Sequence, residues 1–157
     1  MTKPFSISLK AGERIFINGA VLRVDRKVTI EFLNDVAFLL EAHVMQQEQT
    51  TTPCRQLYFS VQAMLIDPVN AEITKQLFNA SYQNLREVVS NVDLLGRLAE
   101  VKRLVEIKRY YDALKTLRGC FPVEDEIIAG GPKSIQIMKR SIDNAGEHNQ
   151  YHSGKRH

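Results

Sequence analysis

The sequence predicts an α+β fold, in which a small N-terminal antiparallel sheet is followed by a bundle of four to five helices. In the first 35 or so residues apolar and polar side chains alternate, which is the period of a half-buried strand. From residue 52 onward apolar side chains recur every three or four residues, between residues that start and stop helices. We expect a single domain over residues 1–143, β-rich at 1–42 and helical at 52–143, with a mobile tail at 144–157.

Three features predict the strands. The segments FSISL (5–9) and VTIEF (28–32) alternate in polarity. Between them, Asn18-Gly19 lies at the centre of the β-rich run RIFINGAVLRV, and both residues tolerate the positive φ of a two-residue hairpin turn. The following segment VAFLLEAHVM (36–45) is apolar without a clear period, so it fits either a buried strand or a short helix.

The predicted helices begin at capping residues. Thr52 before Pro53 starts the first helix, which ends at Asp67-Pro68, while Asn70 caps the second and Asn91 the third. The apolar positions expected in the second helix are Ile73, Leu77, Leu85, Val88 and Val89.

The end of the helical part contains two breaks. Gly119 followed by Pro122 predicts the end of a fourth helix. The acidic run 124–126 then fits the first turn of a further helix, where carboxylates complement the helix dipole. Ser134 is expected to cap a last short helix.

Composition excludes several classes of protein. The 157 residues are 44% hydrophobic and 25% charged, as in globular domains. No apolar run is long enough for a membrane span or a signal peptide, so we expect a cytoplasmic protein with no membrane contact. The two cysteines, Cys54 and Cys120, stand apart and are expected to be buried, reduced residues.

The sequence contains no recognisable catalytic motif. His43 is the only histidine in the expected folded region, and no paired metal-ligand spacing is present. The segment GGPKS (130–134) lacks the spacing of a phosphate-binding loop, and its proline removes an N–H group. We therefore expect neither an enzyme nor a cofactor or metal site.

The net charge of +3 is distributed unevenly, with +4 in residues 1–27 and −5 in residues 28–100. A hairpin turn at Asn18-Gly19 would place Arg14 opposite Arg23, on one face with Phe16 and Val21. Arginines beside an aromatic ring suit single-stranded nucleic acid, through phosphate pairing and base stacking. The candidate RNA-binding residues are Arg14, Phe16, Arg23, Lys10, Arg26 and Lys27. The alternative is that the helices cover Phe16 and that acidic side chains neutralise the arginines.

Three segments resemble the FlbT family of flagellar regulators. They are SLKAGERIFINGAVLRVDRKVTIEFLNDVAFLLE, TTPCRQLYFSVQAMLIDP and ALKTLRGCFPVEDEI, within a similarity that spans roughly residues 3–130. The resemblance implies a post-transcriptional regulator that binds the 5′ untranslated leader of flagellin mRNA, represses its translation and promotes its decay. It also implies cooperation with FlaF, a second small flagellar regulator.

The sequence leaves two other functions open. The protein could be an adaptor whose helices bind a FlaF-like regulator or flagellin through a basic stretch, formed by Lys102, Arg103, Lys108, Arg109, Lys115 and Arg118. Lys108, Lys115 and Arg118 would then form a stripe on one helix. A nuclease would need acidic metal ligands, which the sequence does not group in a metal-binding pattern. The edges of the small sheet must be covered by the helices or by a second copy in a homodimer.

Overall fold

The computed structural model describes residues 5–130 and confirms the α+β class. Within this range five strands precede four α-helices. The strands are β1 (Phe5–Leu9), β2 (Arg14–Ile17), β3 (Ala20–Arg23), β4 (Val28–Phe32) and β5 (Phe38–Leu40), and the helices are α1 (Pro53–Ile66), α2 (Ala71–Val88), α3 (Val92–Glu106) and α4 (Tyr110–Ala129). The helix expected at Ser134 and the tail expected at 144–157 lie outside the described residues.

The strands form two small antiparallel sheets. β1 pairs with β4, with Phe5 opposite Phe32 and Leu9 opposite Val28. β2 lies at the centre of the other sheet, in the order β3–β2–β5. The ambiguous segment 36–45 therefore contains a strand, β5, and a short 3-10 turn follows it at Glu41–His43.

Two hydrophobic clusters hold these elements together. The smaller one lies among the strands around Leu9, Ile15 and Phe38, which are all buried. The larger one lies among the four helices and includes Leu39 of β5. Because successive strand residues point to opposite faces, Phe38 and Leu39 of β5 reach one cluster each. The β3–β2–β5 sheet thereby connects the strands to the helices.

The start of α1 follows the prediction. Pro53 is its first residue, and the Thr52 side chain accepts a hydrogen bond from the backbone N–H of Arg55. Asn91 caps α3 by accepting from the N–H of Leu94 at 2.9 Å. Asn70 precedes α2 but does not cap it through its side chain, because its amide donates to the Asp67 carboxylate.

The predicted apolar positions of α2 are partly wrong. Ile73 and Leu77 are 64% and 65% exposed, whereas Phe78, Tyr82 and Leu85 are buried. The buried residues follow the spacing i, i+4, i+7, which is one face of a helix. Ile73 and Leu77 lie on a neighbouring face that no described element covers, so periodicity alone did not identify the packed face.

The predicted stop at Gly119 and Pro122 is wrong, because α4 continues through Pro122 to Ala129. The acidic run 124–126 is consequently near the C-terminal end of α4 and does not start a new helix. Glu124 is fully buried and its Oε2 accepts from the N–H of Cys54 in α1. This contact, together with the buried Leu117 and Cys120, holds the helix on both sides of the proline.

Two further expectations concern the cysteines and membrane-crossing helices. Cys54 and Cys120 are free thiols and both are buried, as expected. Among residues 5–130 no helix combines the length and the hydropathy needed to cross a lipid bilayer.

Candidate nucleic-acid interface

The hairpin at Asn18-Gly19 has the predicted geometry. Both turn residues have positive φ, 47° for Asn18 and 87° for Gly19. The register places Ile17 opposite Ala20 and Arg14 opposite Arg23. The two arginines are therefore cross-strand neighbours, an arrangement that is unfavourable unless an anion lies nearby.

A carboxylate provides that anion for one of the two arginines. Glu41 Oε2 accepts from Arg14 Nη2 at 3.0 Å, and its Oε1 accepts from the Arg14 backbone N–H at 2.9 Å. The side-chain hydrogen bond from Arg14 lowers the pKa of Glu41. Within residues 5–130 no carboxylate forms an ion pair with Arg23, which is exposed. Arg23 is thus the more available cation of the pair.

The side chain of Phe16 is less exposed than those of Arg14 and Arg23 on the same face. It is half-buried and packs against the helical cluster, because its face of the sheet turns toward the helices. Ile15, which precedes Phe16 on β2 and points to the other face of the sheet, is fully buried among the strands. Leu22 of β3, which lies opposite Ile15, is less protected and is 44% exposed. The structure therefore places Phe16 inside the arginine face with only part of its ring accessible.

The remaining candidate residues gather at the end of the sheet farthest from the hairpin turn. Backbone hydrogen bonds join Gly12 to Val24 and Val24 to Glu13, so the turn after β1 lies beside the end of β3. We call the five cations at this place the basic end: Lys10, Arg14, Arg23, Arg26 and Lys27.

The basic end keeps an excess of positive charge. Arg26 binds its neighbour Asp25, with Nε 3.2 Å from Oδ1, but both side chains are largely exposed and such pairs are weak. Lys10 and Lys27 are exposed and form no ion pair with the residues that the structure describes. The sequence predicted these residues as candidate RNA contacts, and that role stays a prediction. The sequence did not indicate that Glu41, from beyond β5, binds Arg14.

Sequence reasoning missed a second cluster, at the junction between strands and helices. Phe5 and Phe32 stack with ring centroids 6.4 Å apart, and Phe32 and Phe38 with centroids 4.9 Å apart. Phe38 in turn stacks on Tyr111 of α4 at 4.4 Å. The alternation of β1 and β4 signalled the pairing of Phe5 with Phe32. No sequence signal joins Phe38 to Tyr111.

These aromatic rings border a pocket of about 400 Å³, which we call the junction pocket. It is lined by Phe5, Phe32, Asn34, Asp35, Val36, Ala37, Phe38, Lys108, Arg109, Tyr110, Tyr111, Asp112 and Lys115. Arg109 Nη2 lies 2.6 Å from an Asp112 oxygen, and its Nη1 lies 3.9 Å from Asp35. The pocket thus combines aromatic rings, two carboxylates, one arginine and two lysines.

The basic stripe predicted under the adaptor hypothesis does not form. Lys108 precedes α4 and has a positive φ of 61°, so it is not on the same helix as Lys115. Arg118 is half-buried and donates to the Tyr58 hydroxyl at 3.2 Å. Two other members, Lys102 and Arg103, bind acidic side chains on their own helix. Most of the stretch is therefore occupied by contacts within the protein.

No group of three or more metal-ligating side chains occurs among the described residues. His43 is half-buried, and burial lowers its pKa. Its backbone carbonyl accepts from the Tyr58 hydroxyl at 2.6 Å. This hydrogen bond is made by the backbone, whereas the Nδ1 atom of the His43 side chain is buried and has no hydrogen-bond partner among the described residues.

Comparisons with known proteins identify relatives over nearly the whole chain. The flagellar protein family FlbT matches residues 5–128. The chain is 49% identical to the "Probable flagellum biosynthesis repressor protein FlbT" of Rhizobium johnstonii, over 90% of this chain and 97% of the relative. The proteins of the same name from Chelativorans sp. and Mesorhizobium japonicum are 48% and 47% identical, over 88% and 89% of this chain and 95% and 99% of theirs. No solved structure matches the chain. The chain belongs to the FlbT family of flagellar proteins.

Proposed function

We propose that this protein is a repressor of flagellum biosynthesis that acts by binding the 5′ untranslated leader of flagellin mRNA. The relatives' names support the repressor role. The observation that carries the RNA-binding step is the position of Arg23. It is exposed and directly opposite Arg14, and no carboxylate of residues 5–130 forms an ion pair with it.

The mechanism follows from the chemistry of the basic end. Guanidinium and ammonium groups bind phosphates and release condensed counterions, which makes the affinity dependent on salt. Arg23, Lys10 and Lys27 would bind phosphates, and Arg14 would exchange Glu41 for a phosphate when RNA approaches. The partly accessible edge of Phe16 would contact a base. A protein bound in this way covers the leader, so ribosome access falls and the untranslated message is degraded.

A charge reversal tests the basic end. Arg23→Glu should weaken binding to the leader and lower the slope of log affinity against log salt by about one. Arg86→Glu is the matched control, because it changes the net charge equally at an exposed position of α2. Circular dichroism verifies that both variants fold. Equal leader affinity of the two folded variants, measured by gel shift at several salt concentrations, would show that the basic end does not bind RNA.

A protein–protein adaptor is the second candidate function, and the exposed face of α2 favours it. Ile73 and Leu77 are one helical turn apart, and Val69 just before the helix is 90% exposed. An apolar stripe of this kind suits a helix of a partner, such as flagellin or a FlaF-like regulator. Under this reading, purified protein shows no salt-sensitive binding to leader RNA, and Leu77→Glu prevents co-purification with flagellin.

A second copy of the chain is the partner that would cover β3. Its outer edge pairs with no strand of residues 5–130, and Val21 is 57% exposed. An uncovered apolar edge strand favours pairing with another chain. Light scattering should then give twice the chain mass of 17.9 kDa, and Val21→Lys should give the monomer mass. A monomeric wild type would rule out this dimer.

A further inference from the structure

We infer that the junction pocket binds one unpaired nucleotide of single-stranded RNA, with the base against the aromatic wall and its phosphate between Lys108 and Lys115. This inference rests on the proposed function, since it assigns a second contact site on the same RNA. The site is separate in sequence from the basic end and comes from the junction of strands and helices.

The aromatic wall consists of the rings of Phe5, Phe32, Phe38 and Tyr111 and is open to solvent at Phe5. Phe5 and Phe32 lie nearly parallel, with an angle of 11° between their ring planes. Phe5 is 46% exposed, so part of this aromatic surface is accessible to solvent. Nucleic-acid bases stack on such rings irrespective of their identity, because every base has a π face.

The charges around the wall favour an anion. Arg109 pairs with Asp112 at 2.6 Å and lies 3.9 Å from Asp35, so these three side chains together carry one negative charge, and Lys108 and Lys115 bring the lining to a net charge of +1. Lys108 and Lys115 are exposed and form no ion pair within the described part of the chain. A ligand that carries an aromatic ring and a negative charge complements this arrangement, and a nucleotide has both.

The backbone at Lys108 forms the C-terminal cap of α3. Its φ of 61° lies in the left-handed region, where glycine or asparagine is preferred at a helix end. The conformation is held by hydrogen bonds from the N–H of Lys108 to Val105 and from the N–H of Arg109 to Leu104. A lysine here keeps a cation at the rim of the pocket.

The volume of the pocket limits the ligand. About 400 Å³ lies in the lower part of the range for small-molecule sites and is enough for a single nucleoside. A base in a duplex keeps both faces stacked on its neighbours, so only an unpaired base can enter. The same chemistry would be offered by a free mononucleotide, and the experiment must separate the two sources.

A tryptophan reporter tests the inference on the full chain. The protein has no tryptophan, so Phe5→Trp places its only tryptophan, which can be excited apart from the tyrosines, within the aromatic wall. We expect a single-stranded ten-nucleotide RNA of mixed sequence to quench its fluorescence at low salt, and the quenching to decrease with added salt. A fully paired RNA duplex of ten base pairs, and AMP or UMP alone, should quench it much less.

Charge variants in the same background locate the phosphate. Lys108→Gly keeps the backbone conformation and removes the cation, and Lys115→Glu reverses the second one. Each should weaken binding of the oligonucleotide, whereas the Arg86→Glu control should not. As a second measurement, Phe5→Leu without the reporter should weaken binding of labelled RNA by roughly five- to 150-fold, since it retains an apolar side chain but removes the ring.

The outcomes separate this inference from the proposed function. Leader binding that depends on Arg23 but is unchanged by the Lys108, Lys115 and Phe5 variants would overturn the junction pocket and leave the proposed function intact. Quenching by short single-stranded RNA without binding of the flagellin leader would support the pocket and contradict the proposed function. Quenching by mononucleotides alone, or by none of the probes, would overturn the inference.

Discussion

The buried carboxylate of Glu124 accepts a 2.8 Å hydrogen bond from the backbone N–H of Cys54, which lies 70 residues earlier in the chain. Its other oxygen accepts from the hydroxyl of Thr52, the residue that caps α1. Free N–H groups and the helix dipole favour negative charge at a helix N-terminus. The C-terminal part of α4 therefore completes the cap of α1 and joins the first helix to the last.

This contact predicts a large loss of stability for Glu124→Ala. The substitution leaves the N–H of Cys54 buried without an acceptor and removes part of the α1 cap, at a cost of about 2–4 kcal/mol. Urea unfolding followed by circular dichroism measures the change. Glu126→Ala is the control, because Glu126 is exposed on the same helix and should have little effect. Equal losses for both variants would contradict the capping role.

The pH dependence of stability should differ between the wild type and Glu124→Gln. Burial raises the pKa of Glu124 above its ordinary value of 4.5, despite the hydrogen bonds from Thr52 and Cys54. The folded protein thus holds this proton more tightly than the unfolded chain, so the contribution is complete below about pH 4.5 and declines as pH rises through the folded-state pKa. The unfolding free energy of the wild type, relative to Glu124→Gln, should decrease between pH 4 and 7. A difference that is constant or increases with pH would contradict the raised pKa.

Pro122 should limit the stability of α4. It lies inside the helix and is exposed, and a proline there supplies no N–H to the carbonyl of residue 118. Pro122→Ala restores this hydrogen bond without leaving a cavity. We expect the free energy of unfolding to increase by about 1–3 kcal/mol, because a proline inside a helix costs up to about 3 kcal/mol relative to alanine. Thermal and urea unfolding measure it, and an unchanged or lower stability would show that the helix depends on the proline.

Glu41→Gln should strengthen RNA binding, given the proposed function. The Arg14 hydrogen bonds keep Glu41 ionised, so it neutralises one cation of the basic end. Removing its charge frees Arg14 for a phosphate and should increase the salt slope by about 0.7 for a single strand. Glu100→Gln is a suitable control, because Glu100 binds Arg103 in a comparable exposed pair on α3. Weaker leader binding by Glu41→Gln alone would mean that Arg14 must be held by Glu41 to contact RNA.

Features that depend on a few adjacent residues could be predicted from the sequence. Asn18-Gly19 determines the hairpin register, because both residues accept positive φ, and Arg14 therefore lies opposite Arg23. Thr52-Pro53 and Asn91 start helices through contacts within one turn. The segments that resemble FlbT led to the correct family. In each case the cause is local, so the order of residues is sufficient.

Features that depend on distant residues needed the tertiary structure. Pro122 remains helical because Glu124 and the neighbouring buried side chains anchor α4 against α1, which outweighs the local stop signal. Ile73 and Leu77 are exposed because packing selected the adjacent face of α2. The same holds for Phe16, whose face of the sheet lies against the helices.

The sequence by itself determined the α+β class, the hairpin with its two arginines, and the family. Only the tertiary structure decided which charged and aromatic side chains of these elements contact each other. Glu41 binds Arg14 across 27 residues, and Phe38 stacks on Tyr111 from the other half of the chain. Such contacts depend on how helices and sheets pack against each other, and neither local periodicity nor turn chemistry contains that information.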